Sequence, residues 1–125
     1  MTTVFLTAVE VLAVHQDQIE RYGGSQGVRD AGQLEAALFR PQTGYYEDVI
    51  AEAAALWESL SQNHPFVDGN KRTAFAVTFT FLALNGFDIT ADEAEIMQFL
   101  IPLYERHSSM FETLEAWLRT HTQAL

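Results

Sequence analysis

Hydrophobic residues recur at helical spacing along most of the chain. This pattern predicts helices over residues 7–21, 30–39 and 48–63, where apolar side chains lie three or four positions apart. The next predicted helix is apolar nearly all round, which is typical of a helix covered on several sides. Two further helices follow, one after a capping box at Thr90–Glu93 and one that opens at Ser109. We therefore expect an all-α fold of about six helices around a central apolar helix.

The hydrophobic pattern also assigns individual side chains to the core. In the first helix it predicts an inward stripe that includes Leu12, Ile19 and Tyr22. His15 lies on the inward side of this helix, where we expect a packed, hydrogen-bonded histidine, with a second catalytic or ligand histidine as the alternative. The phenylalanines of the central helix are expected to be buried. Pro102 is expected to kink or break the fifth helix, because proline lacks a backbone N–H.

Length and composition indicate one globular domain over residues 1–125. The chain is 48% hydrophobic, which supports a packed core rather than disorder. Cysteine is absent and Met1–Leu6 does not resemble a signal peptide, so a cytoplasmic location is expected. The longest apolar run, Ala74–Leu84, is well short of the roughly 20 residues that span a bilayer. No membrane association is expected.

Acidic residues outnumber basic ones in this chain. There are 17 Asp and Glu residues against 7 Lys and Arg, a net charge of −10. Without a basic stripe, direct binding to nucleic acid is not expected. An acidic surface favours either a protein partner with exposed basic groups or simply solubility.

One stretch near the middle of the chain, residues 64–72, concentrates the residues capable of chemistry and reads HPFVDGNKR. Gly69 and Asn70 tolerate the backbone angles that point successive N–H groups inward, and they lie where the apolar helix should begin. Lys71 is the only lysine in the chain and is followed by Arg72. Free amides, the positive end of the helix dipole and two cations indicate a phosphate-binding site.

The same stretch contains a potential metal ligand and a potential base. Asp68 is a hard oxygen ligand suited to Mg²⁺ shared with phosphate oxygens, and the imidazole of His64 can accept a proton near neutral pH. Phe66 is apolar and is expected to anchor the loop in the core. Together these residues indicate transfer of a phosphorus-containing group from a nucleotide to a hydroxyl. Taken singly, each of these residues also fits a purely structural role: the histidine as a capping or core residue, Asp-Gly as a turn, and Lys-Arg as solvated surface.

Residues 64–72 closely resemble the signature of the Fic/Doc family, His-x-Phe-x-(Asp/Glu)-(Gly/Ala)-Asn-(Gly/Lys)-Arg, at every position. The resemblance implies a Fic/Doc (Fido) domain that uses ATP and Mg²⁺. It assigns the role of base to His64, metal binding to Asp68, and phosphate binding to the four residues that follow. Other segments resemble the death-on-curing (Doc) branch, at residues 21–24, 28–30, 34–38, 40–42 and 81–86.

The resemblance also separates two reactions. Family members that transfer AMP usually carry Gly where this chain has Lys71, and a second Arg where it has Phe75. Doc-like members with the lysine are protein kinases that move the γ-phosphate to a threonine of elongation factor Tu. The resemblance therefore implies a Doc-like toxin that blocks translation. A Fic-type protein adenylyltransferase is the alternative, and a non-catalytic nucleotide- or partner-binding module is a second alternative.

Two further expectations come from the resemblance. Thr43, Gly44, Tyr45 and Tyr46 lie where Fic proteins carry a flap that holds the target chain, although an ordinary turn fits the same residues. Doc-like toxins are restrained in trans by a small antitoxin of the Phd type. The tail of that antitoxin is expected to cover the nucleotide site and place a glutamate against Arg72.

Overall fold

The computed structural model describes residues 2–106 and 110–125, and the part it describes is predominantly helical. A short 3₁₀ helix, Arg40–Gln42, follows the second helix, and two three-residue strands, β1 (Phe87–Ile89) and β2 (Thr122–Ala124), pair antiparallel. The all-α prediction is confirmed. The α-helices are α1 (Ala8–Tyr22), α2 (Ala31–Phe39), α3 (Val49–Asn63), α4 (Asn70–Leu84), α5 (Glu93–Arg106) and α6 (Phe111–His121).

Three of the first four helices have an N-cap side chain that accepts a backbone N–H, and α4 does not. Thr7 and Glu10 form the expected capping box of α1, with each side chain bonded to the other residue's backbone N–H. Asp30 and Asp48 cap α2 and α3 without a reciprocal bond, since in each case one side-chain oxygen accepts a backbone N–H of the first turn. The residue before α4 is Gly69, which has no side chain to offer. The N–H groups of the first turn of α4 therefore remain available to a ligand.

The core forms where α3 and α4 pack together, and α3 also contacts α2 and α6. Alanines on α3 let the neighbouring backbones approach closely, while Trp57 and Leu60 fill the space between the helices. α4 buries Val77 and Phe81 against this core. The prediction that its phenylalanines are all buried is wrong for Phe79, which is 43% exposed because it faces away from α3 into a surface groove beside α1.

The inward stripe of α1 differs from the predicted one. Val11, His15 and Ile19 are buried at a spacing of four residues, so His15 is packed as expected. Leu12 is partly exposed and Tyr22 is 65% exposed, so their assignment to the core was wrong. One face of α1 meets α4, and a single face cannot also bury these neighbouring positions.

The two short strands were not predicted, because three residues are too few to show alternation. They bring the end of the chain beside the end of α4, and Thr90 N–H donates to the carbonyl of His121 at 2.7 Å. Thr90 is thus engaged with the C-terminal segment and does not cap α5. The capping box lies two residues later, where Asp92 and Glu95 bond to each other's backbone N–H. The predicted box at Thr90–Glu93 was therefore misplaced.

α5 runs through Pro102 without a break, so of the two expected effects of this proline, a kink or a break, the break does not occur and the kink stays a prediction. The buried Leu100 and Leu103 on either side of the proline hold this turn against the core. The predicted start of α6 at Ser109 lies outside the described residues, and Met110 occupies its N-cap position. Across residues 2–106 and 110–125, none of the helices has the length and apolar character needed to cross a bilayer.

Candidate active site

The motif loop begins where α3 ends, at His64. This residue adopts a left-handed conformation (φ 48°, ψ 55°), and among the described residues it alone does so without being glycine. Arg29 holds the turn in place, because its Nε donates to the His64 carbonyl at 2.6 Å and its Nη2 to the Asn63 carbonyl at 2.9 Å. The guanidinium thereby satisfies carbonyls that the end of α3 leaves unpaired. The imidazole of His64 is left exposed at the rim of the loop.

Backbone hydrogen bonds fasten the middle of the loop to the segment before α2. The carbonyl of Pro65 accepts the N–H groups of Arg29 and Asp30 at 2.7 and 3.0 Å. Val67 N–H donates to the Gly27 carbonyl at 3.0 Å. These bonds do not depend on side-chain identity, so the sequence pattern gave little sign of them.

Phe66 is fully buried beneath the loop, which agrees with the anchoring role expected for it. Its ring stacks on the imidazole of His15, with centroids 3.9 Å apart and an interplanar angle of 6°. The side-chain amide of Asn70 also holds Phe66, since it accepts the Phe66 N–H and donates to the Phe66 carbonyl. This amide is therefore occupied within the loop, and a phosphate role for Asn70 falls to its backbone N–H.

Gly69 connects the loop to α4 in a left-handed conformation (φ 72°). A Cβ at this position would lie 3.0 Å from Ile19 Cδ1 and 3.2 Å from Arg72 Nη2, so both the backbone angle and the space favour glycine. Thr73 N–H makes the first intrahelical bond, to the Gly69 carbonyl. The N–H groups of the three residues before Thr73 have no acceptor within the helix. These three N–H groups, at the positive end of the helix dipole, are thus in a position suited to bind an anion.

The carboxylate of Asp68 is exposed and accepts two backbone N–H groups. Oδ2 accepts from Ser25 at 3.1 Å and Oδ1 from Gly69 at 2.8 Å. The Ser25 N–H first and the Gly69 N–H second lower the pKa of Asp68 below its usual value. Gly24 packs against the same carboxylate, because a Cβ there would stand 2.7 Å from Oδ2. Asp68 is thus ionised and held in place, as a hard metal ligand requires.

The two cations of the motif point in different directions. Arg72 donates from Nη2 to the Gly23 carbonyl at 2.9 Å, and its Cζ lies 5.5 Å from the centre of the Tyr22 ring. Arg72 Nε is buried and lacks a hydrogen-bond partner among the described residues. The ammonium of Lys71 lies 4.9 Å from the centre of the Tyr104 ring on α5. Arg72 therefore lies behind the N-terminus of α4, on the side of Tyr22 and Gly23, while Lys71 links that N-terminus to α5.

A cavity of about 330 Å³ opens over the motif. A second cavity of about 580 Å³ adjoins it between α1, α4 and α5 and shares Lys71 and Arg72. This second cavity is walled mainly by apolar side chains, including Phe75, Ile96 and Leu100. In the described residues, no three His, Asp or Glu side chains cluster in a way that could hold a metal ion. Among the residues that line the first cavity, Asp68 is the one that carries a carboxylate. The first cavity is lined by His64 and residues 67–72.

A known protein family matches more than half of this chain, including the motif loop. The model of the Fic/DOC family matches residues 5–82, which include α1, the segment before α2 and the whole motif. The chain belongs to the Fic/DOC family.

Two curated relatives are similar to this Fic/DOC chain. A protein named Toxin Doc, from Mycolicibacterium smegmatis, is 51% identical over 76 residues, which cover 57% of this chain and 58% of that protein. A protein named Protein kinase doc, from Escherichia phage P1, is 37% identical over 84 residues, or 64% of this chain and 67% of that protein. The chain thus spans 58% to 67% of the length of these relatives.

The predicted flap of this Fic/DOC chain lies apart from the motif cavity. Thr43 ends the 3₁₀ helix and Gly44 turns the chain with φ 82°, and neither tyrosine that follows lines the cavity over the motif. Tyr46 accepts a hydrogen bond from Arg40 Nε and packs beside α6. Tyr45 is 84% exposed, so of the two tyrosines it is the one available to a partner.

Sequence reasoning missed several residues that hold the site of this Fic/DOC protein. They belong to the segment that follows α1, and they act through backbone contacts or through the two hydrogen bonds of a guanidinium. The pair Gly23–Gly24 and the basic residue at 29 stood within segments that resemble the Doc branch, and this was the one available signal. The missed residues are Gly24, Ser25 and Arg29. His15 was expected to be packed and hydrogen-bonded, but its bond to the motif loop was not predicted.

Proposed function

We propose that this chain is a Doc-like toxin that acts as an ATP-dependent protein kinase and transfers the γ-phosphate to a hydroxyl of a target protein. One observation carries the proposal: an exposed imidazole and an ionised carboxylate flank the uncapped N-terminus of a helix backed by Arg72. Relatives named Toxin Doc and Protein kinase doc support it.

Each residue of the site has a role in this reaction. His64 accepts the proton of the target hydroxyl at its ring as the hydroxyl attacks the γ-phosphorus, while the bond from that phosphorus to the β,γ-bridging oxygen breaks and ADP leaves. The backbone N–H groups of Asn70, Lys71 and Arg72, with the Arg72 guanidinium, hold the phosphate oxygens and stabilise the charge that develops on them. A Mg²⁺ ion bound by Asp68 would neutralise phosphate charge. The remaining loop contacts keep these groups in a fixed arrangement.

The shape of the two cavities favours the terminal phosphorus over the α-phosphorus. Beyond Lys71 and Arg72, the cavity over the motif adjoins the apolar cavity beside Phe75. A nucleoside fits apolar walls, whereas a charged diphosphate tail would find cations only at Lys71 and Arg72, on the side shared with the motif cavity, and would lose hydration elsewhere. With the nucleoside in this cavity, the terminal phosphate is the one left beside His64. This arrangement supports γ-phosphate transfer rather than AMP transfer.

The target and the restraint follow from family resemblance. We expect the target to be a threonine of elongation factor Tu and the exposed Tyr45 to contact it. We expect a Phd-like antitoxin to act in trans by covering the apolar cavity with a carboxylate near Arg72. The site of action is expected to be the cytoplasm, where the translation machinery lies. Co-purification with a small protein whose removal releases activity would test this restraint.

The direct test uses purified chain, elongation factor Tu, Mg²⁺ and ATP labelled at either the γ or the α phosphorus. Label from the γ position alone, lost in His64→Ala and retained in a His121→Ala control on α6, is the expected result. Label from the α position would make the protein an AMP transferase. A second incubation replaces elongation factor Tu with a cell extract. If ATP binds and no label moves to any protein of that extract, the chain is a binding module and the kinase proposal fails.

A further inference from the structure

His15 connects α1 to the motif loop from the buried side. It lies near the middle of α1, is 3% exposed, and does not line the cavity over the motif. One face of its ring stacks on Phe66, and its Nε2 lies 2.8 Å from the backbone carbonyl oxygen of Asp68. The histidine therefore touches the loop at both its anchor and its metal-binding residue.

The hydrogen bond determines which nitrogen carries a proton. A carbonyl oxygen can only accept a hydrogen bond, so Nε2 of His15 must be the donor. In a trans peptide the C=O and N–H groups point in opposite directions. With the Asp68 carbonyl held toward α1, the N–H of Gly69 points the other way and meets Asp68 Oδ1 at 2.8 Å. One contact from α1 thus orients both polar groups of this peptide.

This peptide needs an external support, because the residue after it is a glycine. Glycine permits several backbone conformations at similar free energy, so the Asp68–Gly69 peptide could rotate with little local resistance. Rotation would turn the Gly69 N–H away from the Asp68 carboxylate and displace the start of α4. The adjoining bond from Ser25 restrains the carboxylate but not the peptide plane.

Resting on the proposed function, we propose that His15 is a positioning residue for phosphate transfer: its Nε2–H fixes the Asp68–Gly69 peptide and thereby orients the Asp68 carboxylate and the anion-binding end of α4. His15 reaches the reaction through these groups and does not touch the substrate. A packing role alone would require only an aromatic ring against Phe66. The hydrogen bond is the part that serves the site.

Two substitutions separate the hydrogen bond from the packing. His15→Phe keeps a ring against Phe66 and removes the donor, whereas His15→Gln removes the ring and can place an amide N–H near the position of Nε2. Val11→Ala, a buried change four residues earlier on the same helix, serves as a control for lost stability. In His15→Phe, we expect the dissociation constant for ATP with Mg²⁺ to rise about tenfold, as for one lost hydrogen bond.

Hydrogen exchange of the Gly69 amide gives a readout that does not depend on activity. We expect faster exchange in His15→Phe, and near-normal exchange and ATP affinity in His15→Gln and in Val11→Ala. If His15→Phe matches the parent in both measurements, or if Val11→Ala impairs them equally, the positioning role is overturned. If the parent itself binds no ATP, the proposed function fails, and Gly69 exchange alone then supports or overturns the role of His15.

Discussion

Arg29 donates a hydrogen bond from Nε to the backbone carbonyl of His64 at 2.6 Å, although 35 positions separate the two residues. The same guanidinium also bonds to the carbonyl of Asn63. The end of α3 and the left-handed turn that presents the imidazole therefore depend on a side chain from the segment before α2.

Removal of this guanidinium is expected to impair catalysis more than folding. In Arg29→Ala the two carbonyls stay solvent-accessible, so the fold persists, but the imidazole of His64 loses its fixed direction. We expect kcat for phosphate transfer to fall about 100-fold, as for a misplaced catalytic group, with a small change in KM for ATP. Arg21→Ala is the matched control, because Arg21 is an exposed arginine that pairs with Asp17 on α1. Equal kcat values for the two variants would contradict this prediction.

A methyl group at position 24 is expected to displace the carboxylate of Asp68, the proposed metal ligand. In Gly24→Ala, the new Cβ would stand 2.7 Å from Asp68 Oδ2, at a backbone angle (φ 118°) that alanine rarely adopts. We expect the Mg²⁺-dependent affinity for ATP to fall about tenfold or more, measured by titration calorimetry with and without Mg²⁺. Gly86→Ala has a similar backbone penalty at φ 90° with open space around the Cβ. That control should bind ATP normally.

Acidification is expected to remove a stabilising contribution of Asp68. Its pKa is lowered in the folded protein by the N–H groups of Ser25 and Gly69. The contribution is therefore present above the unfolded pKa of about 3.9 and is lost as the pH falls through the lower folded pKa. The carboxyl carbon resonance of Asp68 should titrate below that ordinary value. In Asp68→Asn, the dependence of the unfolding free energy on pH should flatten in this acid range, and an unchanged dependence would argue against the two bonds.

Glu58 is expected to hold α6 on the core. One carboxylate oxygen pairs with Arg40 at 2.7 Å, and the other accepts the N–H groups of Met110 and Phe111 at the start of α6. Glu58→Gln replaces a charged acceptor beside an arginine, so we expect a loss of about 1–3 kcal/mol in the free energy of unfolding. Urea denaturation measures this loss. Glu20→Gln, on the exposed face of α1, should change the free energy by much less.

Much of the fold was predictable because the helices depend on local sequence patterns. The periodicity of α3, with Trp57 and Leu60 on one side, and the caps at Thr7 and Asp48 act over a few residues. Predictions failed where burial depends on the position of a distant element. Phe79 and Leu12 are apolar residues at helical spacing, yet they remain exposed because no described element covers them. The short strands and the shifted cap of α5 depend on the C-terminal segment for the same reason.

The candidate site likewise has features that follow from local sequence and features that depend on distant contacts. By itself the sequence determined the helical class and the chemistry of the motif, because consecutive residues at a helix start bring their groups together through local geometry. Only the tertiary structure decided which groups hold that motif in place: His15 bonds to Asp68 across 53 positions, and Arg29 bonds to His64 across 35. Such contacts pair one side chain with a backbone carbonyl. A carbonyl is present at every residue, so these contacts leave no periodic trace in the sequence.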